Sequence, residues 1–240
     1  MATCHEHYLG IVERCKDIVN MSFVEGRSEI HAQNHNFLND LHEWLEVLKD
    51  RPEFELYNMA FKEYSQGLIN ISQGSYRQAY NSLRFFIEHS LAAVYFSFRE
   101  LDLRLWMCGQ QDIYWSTITD ENNGIFSKSY FTAFSPPLIE ESPLFLQLAK
   151  KLYRECSEYT HGNYVTAKIL PPTLAFSDSS FRDWHEKAET ASMLVVFSLC
   201  SRYFSFFGPD AKVRLETSIM EHIGHISFIR DSFQTPQEVF

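Results

Sequence analysis

Between Tyr76 and about Leu105, apolar residues recur at intervals of three and four, through Tyr76, Ala79, Tyr80, Leu83, Phe86, Ile87, Leu91, Val94, Phe98 and Leu101. That spacing puts them on one face of an α-helix, and a stripe this long needs neighbours along its whole length. It predicts a helix at the centre of an all-α helical bundle. Nine Gly and eight Pro in 240 residues are too few for a chain of tight hairpins, which agrees.

Other segments carry the same period. Ala2 to Asn20, Phe37 to Lys49 (Leu38, Leu41, Leu45, Leu48) and Glu53 to Ser72 read as helices, closed by Pro52 and Gly74. Ser75 reads as the N-cap of the central helix. Ser142-Pro143 marks the start of a helix running through Leu144, Leu148, Leu152 and Tyr159, with Gly162 placed to end it. Phe181 to Phe207 reads as a long helix stopped by Gly208-Pro209, and Asp210 to about Ile229 as a last one. Residues 107–141 lose the period and collect Gly109, Asn122, Asn123, Gly124, Pro136 and Pro137 among aromatic residues. This stretch is expected to be a long aromatic-rich inserted loop, with short strands around Asn123-Gly124 as an alternative, packed over the core or presenting a partner or ligand surface from Tyr114 to Phe134.

No repeat and no shift in composition divides the chain. The expectation is one domain over 1–240: N-terminal helices in 1–74, a core in 75–207 carrying the inserted loop, and a C-terminal helix and tail in 208–240. At 45% hydrophobic, with 21 Phe, such a domain can bury a large aromatic core without a metal or disulfide staple. The apolar run Ala191 to Phe207 contains Arg202 and several Ser, so it is read as a buried helix and not a bilayer span. Cys4, Cys15, Cys108, Cys156 and Cys200 are odd in number and scattered, behind a polar, His-rich start from Met1 to Gly10. Reduced thiols and a cytoplasmic address are expected.

A net charge of −10 repels a polyanion at long range and argues against non-specific coating of duplex DNA. A local basic site acting on one phosphate is compatible with it. The chain has no glycine-rich phosphate loop, nucleophile elbow or Cys-x-x-Cys pair, and His185-Glu186-Lys187-Ala188-Glu189 lacks the second His of a zinc-protease helix and reads as surface charge. Cys4-His5-Glu6-His7, His31 with His35, and His222 with His225 each place imidazoles at short spacing but supply too few ligands, so no metal and no cofactor is expected. A metal-dependent enzyme built on His5 and His7 with carboxylates of neighbouring helices is the remotest of the readings.

The most informative segment is Leu152-Tyr153-Arg154-Glu155-Cys156-Ser157-Glu158-Tyr159-Thr160-His161-Gly162-Asn163-Tyr164. Arg154 and His161 are seven apart, so on a helix they share a face, two turns or about 10.5 Å from each other. A permanent cation beside a group that ordinarily titrates near neutral pH is the pair that cuts RNA without a metal: the imidazole moves the 2′-hydroxyl proton while guanidinium grips the phosphate. The same residues also read as a plain helix end, with Arg154 paired to Glu158, His161 bonding the last carbonyls and Gly162 in a left-handed turn. Arg84 and His89, five apart, diverge by about 140° and read as structural, Arg84 pairing with Glu88.

The Arg154 to His161 spacing, with Gly162 and Tyr164 behind it, resembles the motif of the HEPN superfamily of prokaryotic helical domains, and Ser75 to Arg84 looks like related bacterial proteins. The resemblance covers about residues 75–207. It implies a HEPN-like bundle that forms a homodimer or joins a partner protein of a defence or toxin system. It further implies a metal-independent endoribonuclease acting on RNA, with Arg154 and His161 catalytic and Asn163 and Tyr164 contacting substrate. Glu155 departs from the pattern, because active members commonly carry Asn, His or Asp after the Arg, and the Glu155 side chain is expected to repel phosphate. The alternative within the same resemblance is a non-catalytic helical interaction subunit.

Overall fold

The computed structural model describes residues 3–161 and 163–234, and these are helical with no strand among them. The helices are α1 (Cys4–Ser22), α2 (Ser28–Leu48), α3 (Phe54–Ser72), α4 (Tyr76–Phe96), α5 (Glu100–Met107), α6 (Trp115–Ile118), α7 (Lys128–Phe134), α8 (Ser142–Thr160), α9 (Tyr164–Ile169), α10 (Asp178–Tyr203), α11 (Pro209–Ile223) and α12 (Ser227–Gln234).

Two helices form the axis of the bundle. Along α4 every residue from Ser90 to Phe96 is buried, as is all of Leu194 to Tyr203 on α10, because neighbours pack on all their sides. Hydroxyls in α10 are satisfied within the helix: Ser192, Ser198 and Ser201 donate to the carbonyls of Ala188, Leu194 and Ser198 at 2.8–3.0 Å. The apolar run from Ala191 is thus core, and no helix among the described residues is long and apolar enough to cross a membrane.

Small residues decide how closely the helices approach. A Cβ on Gly67 of α3 would lie 3.6 Å from the Ser82 Cβ and 3.7 Å from the Ala79 carbonyl of α4, so the two backbones nearly touch. Large flat side chains fill the wider gaps. Phe145 of α8 lies 3.5 Å from Phe197 of α10, centroid to centroid and 3° from parallel, and Tyr80 of α4 lies 3.7 Å from Tyr159 of α8 at 4°.

Several elements depart from the sequence pattern. The helix expected to run from Tyr76 to Leu105 breaks at Ser97–Arg99, since the guanidinium of Arg202 takes the Ser97 carbonyl (3.1 Å) that a continuous helix would offer to the amide of Leu101. Leu101, assigned to the buried stripe, is 71% exposed as a result. Ser75 stands at the N-cap position of α4 but its side chain makes no capping bond, and α8 is preceded by Glu141, with Ser142 already helical. α2 begins at Ser28, nine residues before the apolar spacing becomes regular, and the final helix divides at Gly224–Ile226 into α11 and α12.

The stretch 107–141 is not an open loop. It folds into α6, α7 and a 3-10 turn at Pro136–Leu138, and it buries Phe126, Tyr130 and Phe131 in the core. Tyr130 sits behind the Ser127 N-cap of α7 and bonds Ser201 of α10 through its hydroxyl at 3.2 Å. Of the aromatic residues from Tyr114 to Phe134, Tyr114 stands exposed and Trp115 and Phe134 are half-buried.

Candidate functional site on α8

The buried face of α8 is Ser142, Phe145, Ala149, Leu152, Cys156 and Tyr159, a run of three- and four-residue steps laid against α4 and α10. Arg154, two residues beyond Leu152, turns about 200° away from that face and is exposed. His161, the C-cap residue, is exposed as well, and its backbone N–H donates to the Ser157 carbonyl at 3.2 Å. Both side chains therefore stand in solvent on the same side of the helix, and neither makes a hydrogen bond or ion pair with a described residue.

The last carbonyls of α8 are taken by residues after His161, not by its ring. The Asn163 amide donates to the Glu158 carbonyl at 3.4 Å, and the Thr166 hydroxyl reaches the carbonyls of Glu158 (3.2 Å) and Asn163 (2.8 Å). The expected Arg154–Glu158 pair is not formed among the described residues, and Gly162 lies outside them. Tyr164, 71% exposed at the first turn of α9, carries the Lys168 ammonium 4.5 Å above its ring, which leaves a cation and an aromatic face beside His161 in the chain. Asn163 is exposed next to it.

Glu155 does not share this face. It points toward α10, where Lys187 lies at 3.4 Å and Lys151 of its own helix at 3.9 Å. Lys187 also holds Asp183 at 2.6 Å, and Asp183 accepts the Tyr80 hydroxyl at 2.5 Å. Burial pulls the Lys187 ammonium down, but the Asp183 and Glu155 carboxylates outweigh it and the net shift is upward, so the cation is held charged. A cleft of about 180 Å³ between α8 and α10 is lined by Lys151, Glu155, Glu186 and Lys187 over Leu148 and Leu152. The Glu155 carboxylate is thus paired with two lysines away from the Arg154 face. Cys156, next along, is wholly buried, and burial pushes its thiol up to about 12, out of reach of nucleophilic chemistry at neutral pH.

The end of α8 is fixed by side chains that a linear sequence does not pair. Arg84 of α4 donates to the Tyr153 hydroxyl at 2.6 Å and lies 3.5 Å from Glu88, while Trp115 of α6 stacks on the Tyr153 ring at 3.9 Å and 6°. The Arg84–Glu88 pair was readable from its i, i+4 spacing. Tyr153 and Trp115 are brought in by tertiary packing alone. His89 stacks on Phe85, at 6.0 Å between centroids, and burial lowers its pKa. One turn before Arg84, the Thr160 hydroxyl donates to the Asn81 side chain at 2.6 Å and ties the His161 end of α8 to the second turn of α4.

The remaining histidine groups do not converge. His31 does not join His35 around a metal but meets His185 in the core, and His222 lies 3.4 Å from Asp40. The stretch His185 to Glu189, read as surface charge, places His185 at 1% exposure. Among the described residues no group of three or more His, Cys, Asp or Glu is arranged to hold a metal ion, His5 and His7 included. No protein-family model, no curated protein and no solved structure matches the chain.

Proposed function

We propose that this chain is a HEPN-like protein of a prokaryotic defence or toxin system and a metal-independent endoribonuclease that works as a homodimer. The observation that supports it is the pairing of Arg154 and His161 in solvent on one face of α8, with Glu155 turned away between Lys187 and Lys151. One imidazole takes the 2′-hydroxyl proton, the 2′-oxygen bonds to phosphorus and the bond to the 5′-oxygen breaks. The departing oxygen takes a proton from the partner subunit's imidazole, and Arg154 holds the phosphate as charge builds on it. The products are a 2′,3′-cyclic phosphate and a 5′-hydroxyl. Asn163 and Tyr164 contact the strand, Tyr164 by stacking against a base.

The test is cleavage of single-stranded RNA in the presence of EDTA, with product ends identified by phosphatase sensitivity. Arg154→Ala and His161→Ala are each expected to lower cleavage at least a hundredfold while the melting temperature stays at the wild-type value, because both residues are exposed. Full cleavage by His161→Ala rejects the assignment. An inactive wild type that still associates with itself or a partner leaves the interaction subunit, a reading favoured by the exposed apolar residues of α1.

A further inference from the structure

Aspartate and glutamate supply 31 of the 240 residues, about one in eight, yet none occurs in residues 64–87 or in residues 159–177. The charged side chains of those two stretches are Arg77, Arg84 and Lys168, with His161 as their one imidazole. The fold brings the stretches together. Tyr159 stacks on Tyr80, Thr160 bonds Asn81, the Ser177 amide donates to the Tyr76 hydroxyl at 2.6 Å, and the Ala175 carbonyl would stand 3.3 Å from a Cβ on Gly74. On a chain of net charge −10, one end of the bundle is therefore positive.

The carboxylates at its border are occupied or turned away. Asp178 pairs with Arg27 (3.6 Å) and Arg182 (2.9 Å), Asp183 with Lys187, and Glu88 with Arg84. Glu63 is half-buried against Ser82. Glu158 lies about 200° around α8 from Thr160, the residue that touches α4. Arg77 and Lys168 are exposed, and neither forms an ion pair with a described residue.

A cleft of about 200 Å³ opens in this end of the bundle, between the first turn of α4 and the segment after α9. Ser75, Arg77, Gln78 and Thr173 line it over Leu170 and Leu174, with no anionic side chain among them, and the Ser75 hydroxyl spends no bond on its helix. α4 and α8 run antiparallel, since Tyr80 and Asn81 meet Tyr159 and Thr160 while Arg84 meets Tyr153. Arg77, four residues before Asn81 and on the same face, therefore stands about one turn beyond the end of α8, past His161.

We infer that this cleft is a strand-binding subsite, in which Arg77, with Ser75 and Gln78 beside it, holds a phosphate of single-stranded RNA next to the scissile one. As a subsite it rests on the ribonuclease reading. The scissile phosphate lies between Arg154 and His161 on the outer face of α8, and the strand leaves it across the end of the bundle toward α4. The guanidinium of Arg77 grips one non-bridging oxygen pair by charge-assisted hydrogen bonds, and Lys168 adds to the attraction from α9. The substrate is then a strand of several nucleotides, not a mononucleotide, because the second phosphate supplies part of the binding.

Short RNAs with one cleavable bond, their other 2′-hydroxyls methylated, are extended nucleotide by nucleotide on either side and cleaved by the full chain in EDTA. Extension on one side is expected to lower KM about tenfold, the worth of one charge-assisted hydrogen bond, and Arg77→Gln to abolish that gain with kcat unchanged. Binding of a fully methylated strand is followed by fluorescence anisotropy, and the slope of log Kd against log salt is expected to fall by about 0.7 in Arg77→Gln. Lys212→Gln, which removes a cation over Phe204 at the opposite end of α10, is expected to keep the wild-type slope. A wild type that cleaves no RNA rejects the ribonuclease reading, and the binding slopes then decide the cleft by themselves. A wild type that does not hold the methylated strand, an Arg77→Gln variant with wild-type KM and slope, or an equal loss in Lys212→Gln overturns the cleft assignment.

Discussion

His31 of α2 and His185 of α10 face each other inside the core, Nδ1 to Nε2 at 3.3 Å, with exposures of 6% and 1%. Phe23 and Phe181 close over His31, Trp184 packs on His185, and the second titratable group near the pair is His35, whose ring lies 6.5 Å from that of His31. One ring donates and the other accepts, so both are neutral in the folded state. Burial drives His31 down to about 4 and His185 down to about 3, each helped by the neighbouring histidine. The unfolded chain binds these protons near 6.5, so stability is complete above that pH and falls as pH drops toward 4. The loss at pH 5 is expected to be about 2 kcal/mol per histidine. Urea unfolding at pH 7.5 and 5.0 measures it, and a His31→Leu, His185→Leu double variant is expected to flatten the dependence. Equal wild-type midpoints at the two pH values contradict the assignment.

Gly67→Ala separates helix propensity from packing. In an unpacked helix the change gains about 1 kcal/mol. Here the new methyl carbon falls 2.9 Å from the Trp184 Cζ2, on a ring that is wholly buried and cannot swing aside. Overpacking of this kind costs about 1–3 kcal/mol, so the variant is expected to melt several degrees below the wild type. A variant as stable as the wild type shows that α3 and α10 separate easily there.

Tyr80→Phe keeps the ring stacked on Tyr159 and removes the hydroxyl that Asp183 accepts. Burial, with the Asp183 carboxylate next in importance, keeps that phenol protonated far above the ordinary tyrosine range. Its loss is expected to cost about 1.5–3 kcal/mol, the range for a hydrogen bond to a charged group. A double cycle with Lys187→Met, read by thermal unfolding, is expected to be non-additive because Lys187 holds the same carboxylate.

The helical class, the central position of α4 and the burial of α10 were legible because they rest on a period of 3.6 residues, which local sequence carries. What failed depends on a partner distant in the chain. Nothing near Ser97 announces that Arg202, 105 residues on, will take its carbonyl. His185 sits among Glu186, Lys187 and Glu189, and only its angular position on α10, beside Phe181 and Ala188, could have placed it inward. For the site, the shared face of Arg154 and His161 followed from spacing, whereas Glu155, expected to repel phosphate, is turned toward α10. Its pairing with Lys187 was not legible, because Lys187 comes from another helix. The segment 107–141 gave no period because α6 and α7 are four and seven residues long, about two turns at most.

Arg202 is 8% exposed and forms no ion pair with a carboxylate among the described residues. Its charge is met instead by the C-terminal end of α4: Nε donates to the Ser97 hydroxyl at 2.7 Å, Nη2 donates to the Ser97 carbonyl at 3.1 Å, and the guanidinium plane lies 4.4 Å over the Phe134 ring. Arg202→Met keeps the apolar stem but leaves a half-buried carbonyl unpaired, which is expected to cost about 1–3 kcal/mol. Arg202→Lys tests whether charge alone suffices. An ammonium can reach one of the two oxygens but cannot present a planar fork to both while stacking on Phe134, so lysine is expected to recover less than half of the loss. Urea midpoints of the wild type and both variants decide it. A lysine variant at wild-type stability makes the helix end a matter of charge, and an unaffected methionine variant removes Arg202 as the reason α4 stops at Phe96.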